Sequence, residues 1–335
     1  MFKSKKNEFL KYLKGKNLLI TSHDLVDLDG FISGLTLKFF FENFFSNQNI
    51  ELIFSGLSKH TRSFIRNFTE KFPDFKFIFQ DSKEILNADV IIIVDSNNLD
   101  QIRLFDNLDL NIPYIFLDHH LNLQNYKSGN IKAPNLIYDN YSSTSEIVLE
   151  FFNDYKVKLP ITYKYLLISA ILSDSGFLKY GNSGTIKHLS NIISDTIDLQ
   201  DIFPLLEKER DVSEKIARIK ALQRVKLIRL DDWLIGISHL SSFSASAASL
   251  LTKVGFDIGI VVSEDKNGFR ITTRAKKQVC LKTGLHLGKI VSKINNVSGG
   301  GHDGAATLNG KIDLAESINQ LIEKIKETLI NKPSL

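Results

Sequence analysis

Two α/β domains are predicted for this chain: a larger first domain built on a parallel sheet and a smaller second one. Three observations carry that expectation. The chain has 335 residues, more than a single hydrophobic core ordinarily serves. Short continuous apolar runs alternate with helical stretches through its first half, as buried parallel strands do. Beyond residue 225 the pattern changes to hairpin-like strands around a helix of small residues. The domains are placed at 1–195 and 225–335, with a helical connection over 196–224.

The elements follow in order. Lys3, Lys5, Lys6, Lys11, Lys14 and Lys16 crowd the first sixteen residues, with Phe9, Leu10 and Leu13 among them. This reads as an amphipathic first helix whose lysines face solvent, in preference to a nucleic-acid contact. Residues 17–21 form a buried strand. A polar loop and an apolar helix over 31–45 come next. Further strands are expected at 50–54, 75–79, 90–94 and 114–117, and the run Ile91-Ile92-Ile93-Val94 is strongly β-branched. Ser143 and Thr144 are suited to cap a helix through about Asn153, and another runs over 161–172. Residues 181–223 are polar and helical, with Arg210, Lys215, Arg218 and Lys220 in the later part. The second domain begins with a hairpin over 225–238 that turns at Asp231-Asp232. A helix at 244–248, strands near 257–263 and 268–274, a glycine-rich loop at 299–301, a strand and a final helix near 314–329 complete it.

Hydrophobic residues make up 43% and charged residues 24%, a globular composition. No apolar run is long enough for a membrane span, and the lysine-rich start lacks the apolar core of a secretory signal. A cytoplasmic protein with no membrane partner is expected. The single cysteine, Cys280, excludes an internal disulfide framework and a cysteine-based zinc site. The net charge of +4 permits anionic substrates without requiring them. The Phe-rich stretch at 39–45 reads either as core or as the face of a homodimer.

Four polar segments carry the chemistry: His23-Asp24-Leu25-Val26-Asp27-Leu28-Asp29, Asp95-Ser96, Asp118-His119-His120 and Asp174-Ser175-Gly176. The first three each follow a predicted strand, on the carboxyl edge where open α/β sheets bind ligands. Each alone is better explained as a cap or a turn. Together they gather carboxylates and imidazoles on one edge, where like charges repel unless cations neutralise them. Histidine and aspartate without cysteine suit manganese, iron, cobalt or zinc better than calcium.

The ordered set His23, Asp27, Asp29, Asp95, Asp118-His119-His120 and Asp174 resembles the DHH phosphoesterase family. Ser298-Gly299-Gly300-Gly301-His302-Asp303-Gly304 resembles the glycine-rich signature of the domain that accompanies many of its members, and Arg274 resembles the arginine that precedes it. The resemblance spans the chain from Leu18 to Ala306. It implies a hydrolase with two divalent cations, manganese expected. One cation would be held by His23, Asp27 and Asp95. The other would be held by Asp29, Asp95, His119 and Asp174, with Asp95 bridging. Asp118 would orient the histidine pair, and His120 would face the substrate as an acid or charge stabiliser. Arg274, Gly299, Gly300, Gly301 and His302 would bind the substrate. The chain departs from the family at Val26, where proline is common, at Ile32, where a small residue often stands, and at Ser175, where threonine is common. No liganding position is lost, and a changed loop shape is expected. The compact size implies small substrates: cyclic di-AMP, pApA, short oligoribonucleotides or pAp. A RecJ-type single-strand exonuclease, an inorganic pyrophosphatase and a non-catalytic nucleotide-binding protein are the alternatives. The last of these would use Phe256 and Phe269 beside Arg270, Arg274, Lys276 and Lys277.

Overall fold

The computed structural model describes residues 2–46, 48–81, 88–102, 112–121, 135–193, 196–207 and 211–330. The expected basic residue Arg210 lies outside these. The chain divides into two compact units, 1–209 and 210–335.

In the first unit, helix α1 (Phe2–Leu13) precedes strand β1 (Leu18–Thr21), α2 (Leu28–Phe44), β2 (Ile50–Phe54), α3 (Lys59–Lys71), β3 (Gln80–Asp81), β4 (Val90–Val94), β5 (Tyr114–Asp118) and β6 (Leu136–Ile137). Helices α4 (Thr144–Tyr155), α5 (Ile161–Asp174), α6 (Ser183–Ile192) and α7 (Phe203–Leu206) follow. The six strands form a wholly parallel sheet in the order β3-β2-β1-β4-β5-β6. The chain therefore builds outward from β1 in one direction and from β4 in the other. This leaves a topological switch point between β1 and β4, the crevice where such sheets bind ligands.

The central strands are buried on both faces, which is why they read as unbroken apolar runs. Leu18, Ile20, Val90, Ile92 and Val94 join the large core beneath α2, α4 and α5. The alternate residues Leu19, Ile91 and Ile93 join a smaller core on the opposite face with Ile53 and Phe116. Phe40 and Phe41 are fully buried, so most of the Phe-rich stretch belongs to the core. It gives no argument for a homodimer.

Two expectations need correction here. Residues 75–79 form no strand. Phe75, Phe77 and Phe79 pack against the core from an extended segment, and pairing with β2 begins only at Gln80. Lys6 does not face solvent. It is fully buried, ion-paired with Asp154 and 3.7 Å from Glu150, both on α4.

The second unit contains α8 (Val212–Gln223), β7 (Lys226–Leu230), β8 (Trp233–His239), α9 (Ser244–Lys253), β9 (Ile258–Asp265), β10 (Gly268–Ala275), α10 (Lys277–Thr283), α11 (Leu287–Val291), β11 (Val297–Gly301), β12 (Ala305–Gly310) and α12 (Leu314–Ile330). Its sheet has the order β11-β12-β10-β9-β8-β7, antiparallel except for the β8–β9 pair. The expected 181–223 helix is four separate pieces, counting a short 3-10 turn at Leu199–Asp201. Gly299–Gly301 is not a loop but part of the edge strand β11. No helix among the described residues is long and apolar enough to cross a membrane.

Candidate metal centre

The carboxyl ends of β1, β4 and β5 and the C-terminus of α5 deliver the polar side chains. Ser22 Oγ donates to the Val94 carbonyl at 2.8 Å and ties the ends of β1 and β4 together. His23 Nδ1 lies 2.9 Å from the Asp24 carbonyl. A proton there leaves Nε2 as a free lone pair, the state a metal ligand needs. Asp27 caps α2 by accepting from the Gly30 N–H at 3.1 Å. Gly30 must be a glycine, because a Cβ there would stand 2.5 Å from Ser22 Oγ and 3.2 Å from Asp95 Oδ2. The start of α2 thus closes onto the end of β4.

Asp95 lies at the centre. It is buried and adopts φ 58, a left-handed conformation uncommon for a residue with a side chain. His23 Nε2 is 3.9 Å from its Oδ2 and 3.8 Å from Asp27 Oδ1. His119 Nε2 is 3.5 Å from Asp95 Oδ1 and 3.2 Å from Asp174 Oδ2. Ligand atoms about 2.0–2.2 Å from one cation stand roughly 3–4 Å from one another. The described residues contain three groups whose candidate ligand atoms all lie within 4.8 Å of one another: His23, Asp27 and Asp95; Asp29, His119 and Asp174; and Asp95 with Asp118, His119 and His120.

The electrostatics call for cations. Burial, then the charges of Asp29, Asp27 and Asp174, push the Asp95 carboxyl far above its ordinary range. Burial and the charges of Asp29 and Asp27 lift Asp174 to about 8. Burial also raises Asp29. Asp27 goes the other way. Burial opposes its charge, but the neighbouring His23 imidazole and the hydrogen bond from the Gly30 N–H win and hold it near 2. His119 Nε2 is buried with no hydrogen-bond partner among the described residues, as is Asp118 Oδ2. Orphaned buried atoms beside mutually repelling carboxylates fit a pair of divalent cations, and the donor set, imidazole and carboxylate, suits them.

Asp118 and His120 stand beside the candidate ligands His119 and Asp95. Asp118 Oδ1 accepts from the His119 N–H at 2.9 Å and faces His120 Nδ1 at 2.8 Å. That hydrogen bond raises the His120 pKa against the effect of burial. The His120 ring stays more than half exposed.

Sequence reasoning missed the supports of this site. Thr144 N–H and Ser145 N–H, at the first turn of α4, donate to the two oxygens of Asp29 at 2.6 and 3.1 Å. Thr144 Oγ1 donates to Asp95 Oδ1 at 3.0 Å. The only sequence signal was the helix-capping pattern. Val26, the residue in the common proline's place, donates its N–H to the Gly56 carbonyl at 3.0 Å, a bond proline cannot make.

In the second unit, Arg274 on β10 pairs with Ala305, and Gly301 on β11 pairs with Ala306, so both flank the same end of β12. The His302 N–H donates to the Ala305 carbonyl at 2.8 Å and closes the β11–β12 hairpin, with the His302 side chain exposed. A Cβ on Gly299 or Gly301 would strike the β12 backbone, whereas one on Gly300 would meet nothing within 4 Å. Gly300 thus presents bare, accessible backbone.

A fold with a switch-point cluster of imidazoles and carboxylates defines a metal-dependent phosphoesterase of the two-domain kind. Residues 17–171 match the DHH family's N-terminal domain, and residues 239–331 match the DHHA1 domain. An uncharacterized protein of Methanocaldococcus jannaschii is 31% identical over 324 residues, covering 95% of this chain and 94% of the relative. The chain belongs to the DHH family. A solved exopolyphosphatase-related protein from Bacteroides fragilis, 19% identical, superposes with a TM-score of 0.66 over 98% of each chain and shares the fold.

Proposed function

We propose that this protein is a two-metal phosphodiesterase acting on small nucleotide substrates: cyclic di-AMP, pApA, short oligoribonucleotides or pAp. The observation that carries the reading is Asp95, within reach of both His23–Asp27 and His119–Asp174 at the switch point. His23, Asp27 and Asp95 would hold one cation. Asp29, His119 and Asp174, again with Asp95, would hold the second, and manganese is the metal we assign. When bound, such a pair lowers the pKa of water and neutralises charge on the phosphoryl oxygens. His120, whose Nδ1 meets Asp118, would donate a hydrogen bond or a proton to the leaving oxygen. Arg274, the accessible backbone at Gly300 and the exposed imidazole of His302 offer donors for a nucleotide phosphate, with Gly299 and Gly301 shaping the strand that presents them. The aromatics of a binding-only groove do not support that alternative: Phe269 is core, and the Phe256 ring covers Gly236.

The test is manganese-dependent turnover of cyclic di-AMP, pApA, pAp, RNA of two to five nucleotides, a long DNA strand and pyrophosphate. Preference for the small nucleotides is expected. Preference for the long strand would move the protein to the exonuclease class, and no turnover of any of them would revive a binding role. Asp95→Ala should lower the rate by roughly three orders of magnitude or more, because both cations lose a ligand. A variant that keeps a tenth of the rate would remove Asp95 from that position.

A further inference from the structure

The sheet face that carries Arg274 and Gly300 continues along β10. Arg274, Thr272 and Arg270 alternate onto it, with Thr272 buried and its hydroxyl 3.1 Å from that of Ser244 on α9, so the open part of this face lies towards Gly300. Ala305, Thr307 and Asn309 of β12 stand opposite them, and Gly300 and Ser298 of β11 stand opposite Thr307 and Asn309. At the Arg270 end lies a cavity of about 470 Å³ lined by Phe243, Arg270, Ser298, Asn309, Asp265 and Lys311, among others. None of these belongs to the candidate metal centre. Arg270 and Arg274 are four residues apart on one strand, roughly 13 Å.

The lining has a definite chemistry. Arg270 Nε donates to Asn309 Oδ1 at 2.9 Å, which orients the guanidinium and leaves its terminal N–H groups for an anion. Phe243 is 38% exposed and sits at φ 56, a conformation a bulky residue rarely adopts. Strain of this kind is found at ligand clamps. Phe243 lines the cavity and gives it an aromatic side chain. Asn309 and Ser298 add hydrogen-bonding groups. Asp265 disfavours a phosphate at its own end but accepts from amino groups. A cation, an aromatic face and a mixed polar edge together match one nucleotide: phosphate, base face and base edge.

We propose that this cavity is a second nucleotide subsite, in which the base stacks on Phe243 and its phosphate pairs with Arg270. The proposal rests on the nucleotide reading above and narrows it to oligonucleotides of at least three residues. A dinucleotide held at Arg274 is too short for the roughly 13 Å to Arg270, whereas a longer single strand laid over the exposed Gly300 would span it.

Turnover of pApA and of 5′-phosphorylated pentaadenylate by the full chain in manganese tests this, with wild type compared against Phe243→Ala and Arg270→Gln. The ratio of kcat/KM for the pentamer to that for the dimer should fall roughly tenfold in each variant, the scale of one lost base stack or phosphate contact. An unchanged ratio, whether both substrates suffer alike or neither does, overturns the subsite while leaving the phosphodiesterase reading intact. A wild-type protein that cleaves neither substrate overturns both.

Discussion

Thr144 holds two candidate ligands at once: its N–H bonds Asp29 at 2.6 Å and its hydroxyl bonds Asp95 at 3.0 Å. Thr144→Val removes only the second bond. Outer supports of this kind typically contribute 10–100-fold to metal affinity. Manganese titration should therefore show a loss of roughly that size in Thr144→Val, with Thr144→Ser close to wild type. Equal affinities in all three would show that Asp95 needs no such support. His188 plays a different part at the same scale. Its two nitrogens lie 2.7 and 2.8 Å from Glu146 and Glu150. Burial works against its charge, but the two carboxylates outweigh it and raise the pKa from 6.5 to about 9. A raised histidine pKa stabilises the fold fully below the ordinary value, and that contribution fades as pH climbs through the folded one. The melting temperature should accordingly drop between pH 6.5 and 9, and His188→Ala should flatten that slope while lowering stability throughout. A slope that survives the substitution would place its origin elsewhere.

At the scale of the element, β11 sets two glycines with opposite duties beside each other. Gly301 sits at φ 155, where a Cβ would come 2.2 Å from the Ala305 carbonyl, so Gly301→Ala should destabilise the hairpin by roughly 1–3 kcal/mol. Gly300 has open space, so Gly300→Ala should melt like wild type yet lose nucleotide turnover roughly tenfold, through blocked backbone approach. Similar melting of the two variants would contradict this division. The same strand shows where sequence reading stops. Three glycines carry little strand preference, so they read as a loop, and only the pairing with β12 makes them a strand. The strands β1, β4 and β5 were legible because burial on both faces leaves an unbroken apolar run, and their polar ends stand out against it. The lysine run of α1 showed the helix but not the burial of Lys6, since its partners Glu150 and Asp154 lie far along the chain. Likewise Ser143 and Thr144 announced a helix start, and nothing local indicated that the amides of its first turn would face Asp29.

For the whole molecule, the decisive fact is that all six proposed metal ligands fall within 1–209, while residues 210–335 build a core of their own. Cations that bind only the folded first unit stabilise it by mass action, about 2.7 kcal/mol at a hundredfold excess over Kd. They also relieve the repulsion that pushes the Asp95 and Asp174 carboxyls upward. For a domain of this size each kcal/mol shifts Tm by roughly 2–4 °C. Calorimetry of the full chain should therefore resolve two transitions. Manganese should raise one of them by about 5–10 °C relative to chelator-treated protein, and leave the other in place. Asp95→Ala should abolish that shift without moving the second transition. If manganese moved both transitions together, the two units would unfold as one, and if it moved neither, the carboxylate cluster would not be a metal centre.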